Sequence, residues 1–409
     1  MEQIIRRRQS LLNKKNYLAI GTEEAKLYRM SHIKKIQMVD LQAQYTRLKT
    51  SIDREMQKVL SSSQFINGPQ VKEFASHLAH FLQVKHVIPV ANGTDALQIA
   101  LQALEIPKNS EIIIPSFTYV ATAEVAAHLG YKIRFVEVDR NFFTTLPSSI
   151  EKVINYNTKA IMPVHLYGQS APMDEITDLA KKYNLRVVED NAQAIGAEYC
   201  GAKMSGSTGT FGDFGTISFF PSKNLGCFGD GGAICTNDDL LAHKAKMIAN
   251  HGQSKKYIHD ILGVNSRLDT LQAAILLAKL PHLKDFIKVR QNTAKVYDET
   301  FNKHDELLSI PHRAPYSSHV FHQYTVKIKN GKRDFVKNKL AEKGIPSMVY
   351  YPIPLHQQNA FNGEGIIDDL TNTTKLCEQV LSIPIHSEME EETAKYIAET
   401  LLEILIQNG

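Results

Sequence analysis

Glu111-Ile112-Ile113-Ile114-Pro115-Ser116-Phe117-Thr118-Tyr119 is the stretch on which the reading of this 409-residue chain turns. Three successive isoleucines leave no polar face, the pattern of a strand covered on both sides. Pro115 and the small residues after it then end the strand. The same pattern recurs on either side, with strand-like runs at 86–90, 132–138, 160–166, 186–189, 216–220 and 232–236. Between them lie helix-like stretches such as 94–104, 122–129 and 173–183. Strand and helix in alternation predict an open α/β sheet of seven strands, mostly parallel, with helices on both faces. Ligand sites in such sheets lie outside the carboxyl ends of the strands, so the residues just after each run are the candidates.

Beyond this region an apolar helical run over 267–281 stops at Pro281, a strand is expected at 323–328 and a helix at 333–343. Three parts are therefore expected: a basic N-terminal extension at 1–37, a large domain at 38–285, and a smaller C-terminal α+β domain at 286–409. Met30, just before globular patterning begins, is an alternative native start.

Composition narrows the function. Hydrophobic residues make up 43% and charged residues 22%, enough for a real core. The net charge of +4 is uneven: residues 1–37 hold nine Lys/Arg against three Asp/Glu, so the remainder carries −2. A nearly neutral body argues against nucleic acid or an anionic membrane as partner. Four scattered cysteines (Cys200, Cys227, Cys235, Cys377), with no CxxC or HExxH, support neither a disulfide scaffold nor a metal site. No apolar run approaches the roughly 18 residues of a membrane span, and the N-terminus lacks a secretory pattern. A cytoplasmic protein is the expectation.

The strand ends carry the chemistry. The first runs into Asn92-Gly93-Thr94-Asp95, where Gly93 permits close backbone approach and Thr94 or Asp95 can cap a helix whose free N–H groups favour phosphate. The second ends near Tyr119, an aromatic that can lie on a flat ring or simply pack. The strand before Asp190 delivers a buried acid in need of a cation, either a lysine or a protonated ring nitrogen. Another strand ends in Ser218-Phe219-Phe220-Pro221-Ser222-Lys223, and a lysine there can form a Schiff base if its amine is partly desolvated. Each feature alone has a structural explanation. Together, phosphate cup, aromatic, acid and lysine are what pyridoxal 5'-phosphate requires.

Asn92-Gly93-Thr94-Asp95-Ala96-Leu97, Pro115-Ser116-Phe117-Thr118-Tyr119, Pro163-Val164-His165-Leu166-Tyr167-Gly168-Gln169, Glu189-Asp190-Asn191-Ala192-Gln193 and the lysine segment also resemble the DegT/DnrJ/EryC1/StrS nucleotide-sugar aminotransferases over about residues 38–409. The resemblance implies a fold-type I pyridoxal-phosphate transferase. It makes Lys223 the Schiff-base lysine and Asp190 the acid at the pyridine nitrogen. Gln193 and Tyr119 take the two faces of the ring, and Gly93, Thr94 and Ser218 take the phosphate. Asn265 is implied to reach the phosphate of a neighbouring subunit, giving a homodimer with shared active sites. Lysine rather than histidine at 223 keeps transamination open, because the family's sugar 3-dehydratases carry histidine there.

The stretch from His251 to Ile275, with Tyr351-Pro352-Ile353-Pro354-Leu355, is most similar to members that aminate UDP-2-acetamido-2-deoxy-3-oxo-glucuronate with L-glutamate on the route to bacterial O-antigen. Arg267 would then meet a carboxylate of glutamate or of the uronate; the alternative is a local salt bridge. Tyr350 and Tyr351 are the other implied substrate contacts, Tyr350 standing where that subgroup has histidine. Rival expectations are a dTDP-linked 3-keto- or 4-keto-6-deoxyhexose as acceptor, and a non-catalytic, cofactor-binding regulator.

Overall fold

The computed structural model describes residues 35–361, 365 and 370–407. The expectations for the extension and for Met30 fall outside these residues, apart from 35–37. Residues 38–409 form one compact unit.

Its centre is a seven-stranded sheet: β1 (His86–Val90), β2 (Glu111–Pro115), β3 (Lys132–Val136), β4 (Thr158–Ile161), β5 (Arg186–Asp190), β6 (Phe214–Ser218) and β7 (Gly232–Thr236). The spatial order is β1-β7-β6-β5-β4-β2-β3. From β6 to β3 every neighbour is parallel, and only β7 runs antiparallel to its two neighbours. The other strands therefore end on one edge of the sheet.

Helices cover both faces: α1 (Leu41–Ser62), α2 (Pro69–Leu82), α3 (Gly93–Ala103), α4 (Ala121–His128), α5 (Pro147–Val153), α6 (Met173–Tyr183), α7 (Asp239–Ala249), α8 (Thr270–Lys279) and α9 (Leu283–Phe301). Ile112 and Ile114 of β2 turn to one face, packing into a core shared with α3, α4 and α7. Ile113 turns to the other, against residues of α5 and α6. The isoleucine run is thus an ordinary period-two strand whose two faces are both dry. A second, antiparallel sheet follows, β8 (Leu308–Ser309), β9 (Tyr324–Ile328) and β10 (Val380–Ile383), flanked by α10 (Arg333–Glu342), α11 (Thr371–Gln379) and α12 (Glu391–Gln407). Helix α9 runs straight through residue 285.

Two local expectations shift. The run at 160–166 is a strand only to Ile161: Pro163 has no N–H for a ladder, and Tyr167 takes a positive φ of 59°. Pro281 does not stop the helical run; it sits inside a single 3₁₀ turn, Leu280–His282, that leads directly into α9, because proline's fixed φ suits a first turn.

Arg290 on α9 ties together the segment before β9 and the segment after β10 in the second sheet. Only 2% exposed, its Nη1 donates toward the carbonyls of Phe321 (3.1 Å), His322 (3.3 Å) and Ile385 (2.9 Å), and burial pushes the guanidinium down to about 10. Arg290→Met should lower the unfolding free energy of the cofactor-free protein by about 2–4 kcal/mol, since three buried carbonyls lose a charged donor. Urea denaturation followed by circular dichroism checks this.

Candidate active site

Five strand-end segments converge at the common edge of the central sheet. The first is the start of α3. Its cap is Asn92, whose side chain accepts the Asp95 N–H at 2.8 Å, and not Thr94 or Asp95 as the sequence suggested. Asparagine in extended backbone before the helix is the better acceptor geometry. The cap leaves the N–H groups of Gly93 and Thr94, with the Thr94 hydroxyl, at the helix end where anions bind. Ser218 at the end of β6 closes the cup: a Cβ on Gly93 would lie 2.8 Å from the Cβ of Ser218. The Ser218 Oγ in turn accepts the Phe220 N–H at 3.3 Å.

Strand β5 delivers two carboxylates to opposite sides. Glu189 is fully buried and fully answered: it accepts from the backbone N–H groups of Gly209 (2.9 Å), Phe211 (2.6 Å) and Gly212 (2.7 Å). It also accepts from His165 Nε2 at 2.9 Å. His165 Nδ1 accepts the Ala171 N–H at 3.0 Å, which fixes the proton on Nε2. Asp190, 5% exposed, receives less: the Thr122 hydroxyl at 2.7 Å and the Ala192 N–H at 3.1 Å. Among the described residues no cationic side chain forms an ion pair with it, so the lysine alternative for its partner is not realised.

Lys223 lies half-buried in the loop after β6, which is held by Lys223 N–H to Phe220 O (2.8 Å) and by Asn224 Nδ2 to Val320 O (3.1 Å). Burial pushes its amine down to about 8, while the negative charge of Asp190 pulls the other way. Gln193 is fixed from both ends: Oε1 accepts the Tyr167 N–H at 2.7 Å and Nε2 donates to the Tyr351 hydroxyl at 3.2 Å. Tyr351 also faces Tyr119, ring centroids 6.2 Å apart, and Tyr119 remains 57% exposed. Tyr350 takes part through its carbonyl, which accepts the buried Tyr167 hydroxyl.

Gly93, Ser218, Asp190, Lys223, Gln193, Tyr119 and Tyr351 thus gather in one place. Asn265 and Arg267 touch none of them. They flank Ser266, whose hydroxyl accepts the Ala91 N–H at 3.0 Å just before the cup. Asn265 is exposed, and Arg267 makes no ion pair among the described residues. The sequence reading missed Thr122 as donor to Asp190, the Glu189–His165 pair and the buried His322. Thr122 lies four residues after Thr118, in the first turn of α4, which follows a strand separated from β5 by β4, and that spacing carries no signal of its own.

Residues 46–402 match the DegT/DnrJ/EryC1/StrS aminotransferase family. The chain belongs to this family. As a DegT/DnrJ/EryC1/StrS member it is 44% identical to a UDP-2-acetamido-2-deoxy-3-oxo-D-glucuronate aminotransferase of Pseudomonas aeruginosa, over 90% of this chain and 99% of the relative. It is also 44% identical to a UDP-N-acetyl-3-dehydro-alpha-D-glucosamine 3-aminotransferase of Acidithiobacillus ferrooxidans, over 89% and 96%. A Geobacillus stearothermophilus relative named a pleiotropic regulatory protein is again 44% identical, over 90% and 98%. The solved structure of NtdA from Bacillus subtilis with bound cofactor PMP superimposes with a TM-score of 0.84 at 30% identity, over 92% of this chain and 86% of that one. The architecture is that of a fold-type I pyridoxal-phosphate transferase.

The Lys223 amine should react near neutral pH while ordinary lysines stay protonated. In cofactor-free protein, reductive methylation read by peptide mass spectrometry over pH 6–10 should show Lys223 labelling rise with a midpoint near 8. Asp190→Asn should move that midpoint lower, because it removes the charge that favours the ammonium. Lys279 and Lys327 are also held near 8 but are almost wholly buried, which separates their peptides by rate.

Proposed function

We propose that this chain moves the amino group of L-glutamate onto a nucleotide-linked keto-sugar, with UDP-2-acetamido-2-deoxy-3-oxo-glucuronate as the acceptor of first choice. The cofactor is pyridoxal 5'-phosphate. The observation that carries the reading is a half-buried lysine with a lowered amine pKa near a buried Asp190 that forms no ion pair among the described residues. The residues fit the cofactor: an acid for a protonated ring nitrogen, helix-end donors with Ser218 for phosphate, and a Gly93 that no larger residue can replace without striking Ser218. When bound, the cofactor supplies an electron sink for the carbon that gives up or takes a proton.

The chain's own residues do the rest. Asp190, oriented by Thr122, keeps a ring nitrogen protonated. Gln193, locked by Tyr167 and Tyr351, and Tyr119 border the two faces of a flat ligand. The Lys223 amine, close to half deprotonated near pH 8, takes a proton from one carbon and returns it to another, as general base and then acid. Arg267, free of a partner among the described residues, binds a carboxylate through two parallel hydrogen bonds.

Three further assignments belong to this proposal. Asn265 completes the phosphate site of a second copy, which makes the working unit a homodimer. Exposed Phe65, Ile66, Phe228 and Leu262 (87% exposed) supply apolar surface for that contact. The setting is cytoplasmic, in the synthesis of a bacterial surface polysaccharide such as O-antigen. The regulator reading has the Geobacillus relative's name on its side, but a regulator has no need of an amine tuned near neutrality next to an unpaired acid.

Incubation with L-glutamate decides between enzyme and regulator. The visible absorbance of the lysine-bound cofactor should shift to that of the aminated form and return when a keto-sugar nucleotide is added. Lys223→Ala should remove the absorbance and lower turnover at least about 10³-fold; a variant that turns over normally would reject the assignment. The acceptor follows from Arg267→Ala against a mass-scored panel of UDP- and dTDP-linked keto-sugars. If Arg267 reads the uronate, the roughly 10²-fold loss in kcat/KM is confined to that acceptor and the glutamate half-reaction stays within threefold.

Shared sites give a separate prediction. Mixing inactive Lys223→Ala with inactive Asn265→Asp subunits under exchange should restore about a quarter of wild-type activity, since half the dimers are hybrid and one site in each is intact. No recovery despite exchange, followed by native mass spectrometry, would place Asn265 elsewhere.

A further inference from the structure

His322 stands apart from the other buried histidines. His165 has partners at both ring nitrogens, His319 Nδ1 accepts the Phe321 N–H at 3.0 Å, and His386 Nδ1 accepts the Glu388 N–H at 3.2 Å. His322 is 5% exposed, yet its Nδ1 has no hydrogen-bond partner. Its Nε2 has only the Gln323 amide nitrogen, at a marginal 3.5 Å. An unanswered polar atom in such a place costs about 1–3 kcal/mol and calls for a reason.

The segment that carries it is fixed on three sides. Asn224, the residue after Lys223, donates to Val320 O at 3.1 Å. The turn at Tyr167 and Gly168, which also positions Gln193, takes Val320 N–H on the Gly168 carbonyl (2.9 Å) and Gln323 N–H on the Tyr167 carbonyl (3.3 Å). It packs so closely that a Cβ on Gly168 would lie 2.9 Å from His322 N. Arg290 Nη1 approaches His322 O at 3.3 Å from α9. The charges that act on the ring are those of Lys223, from the loop after β6, and Arg290, from α9. With burial, both hold the imidazole well below its usual range, hence neutral.

We propose that His322 is a positioning residue for Lys223: its neutral Nδ1 accepts a hydrogen from the Lys223 amine and fixes the direction of that amine during proton transfer. This rests on the aminotransferase reading for its purpose but not for its test. The donated hydrogen stays on nitrogen, so no net proton moves to His322. The Nε2–H is met by the Gln323 amide in its flipped orientation.

Two variants separate positioning from bulk. His322→Asn keeps an acceptor near the place of Nδ1, whereas His322→Phe fills the space without one. In cofactor-free protein, His322→Phe should lower the Lys223 labelling midpoint by about half a pH unit or more, because the ammonium loses an acceptor. In loaded enzyme it should slow the glutamate half-reaction at least about tenfold with KM within twofold, and His322→Asn should recover both readouts to within about threefold of wild type. An unmoved midpoint in His322→Phe, or equal losses in both variants, would overturn the assignment. A wild-type protein that labels as expected but never responds to glutamate would instead reject the aminotransferase reading and leave His322 standing.

Discussion

Everything at the sheet edge is arranged around a carboxylate that the chain itself leaves half answered. Burying an ionised acid without a cation is costly by several kcal/mol, and two hydrogen bonds offset only part of that. Thr122 and Ala192 are all that Asp190 receives from the described residues. Its neighbour Glu189 shows what the fold does when a buried acid is structural: three backbone donors and a tautomer-fixed histidine meet both of its oxygens. One strand, alternating faces, thus presents one acid that is finished and one that waits for a ligand cation. The parallel sheet brings the phosphate cup and the lysine loop to the same edge.

Much of this was legible in the sequence because it is local. Ile112-Ile113-Ile114 and Val187-Val188 read as strands buried on both faces since helices do cover both faces, and a strand's end marks its own candidates. The overextended run at 160–166 failed for a local reason too: Pro163 has no donor, and apolar content alone does not show that. Asn92 was passed over as cap because Thr94 and Asp95 are equally good capping types a few residues on, and only backbone φ/ψ chooses among them. The Glu189–His165 pair, the Thr122–Asp190 bond and the environment of His322 join segments far apart in sequence. No periodicity records such pairings; they exist only once the topology has put the strand ends side by side.

Residues 38–409 are close to electrically neutral, so affinity for anionic ligands cannot come from a broad field. In the proposed function it comes from few, well-placed donors: the N–H groups at the start of α3, Ser218, and the Ser266-centred segment that carries Asn265 and Arg267. The two named sugar aminotransferases at equal identity differ in their acceptors by a carboxyl group, so overall similarity does not choose between them. A guanidinium does. Left without a carboxylate it is a partly desolvated charge with nothing opposite, and a site built around it rejects the neutral sugar by more than the loss of one contact.

The same logic explains why a neutral imidazole suits the place beside Lys223. In the proposed reaction the amine loses and regains a proton, so burial must outweigh Asp190, and about 8 is where the two leave it. A second carboxylate in place of His322 would return the amine to the ordinary lysine range and hold its proton. An apolar group would leave the amine free to turn away from the reacting carbon. An imidazole kept neutral by burial and by Arg290 gives direction without adding charge. The buried arginine that joins the segments flanking β9 and β10 therefore also helps keep that imidazole neutral.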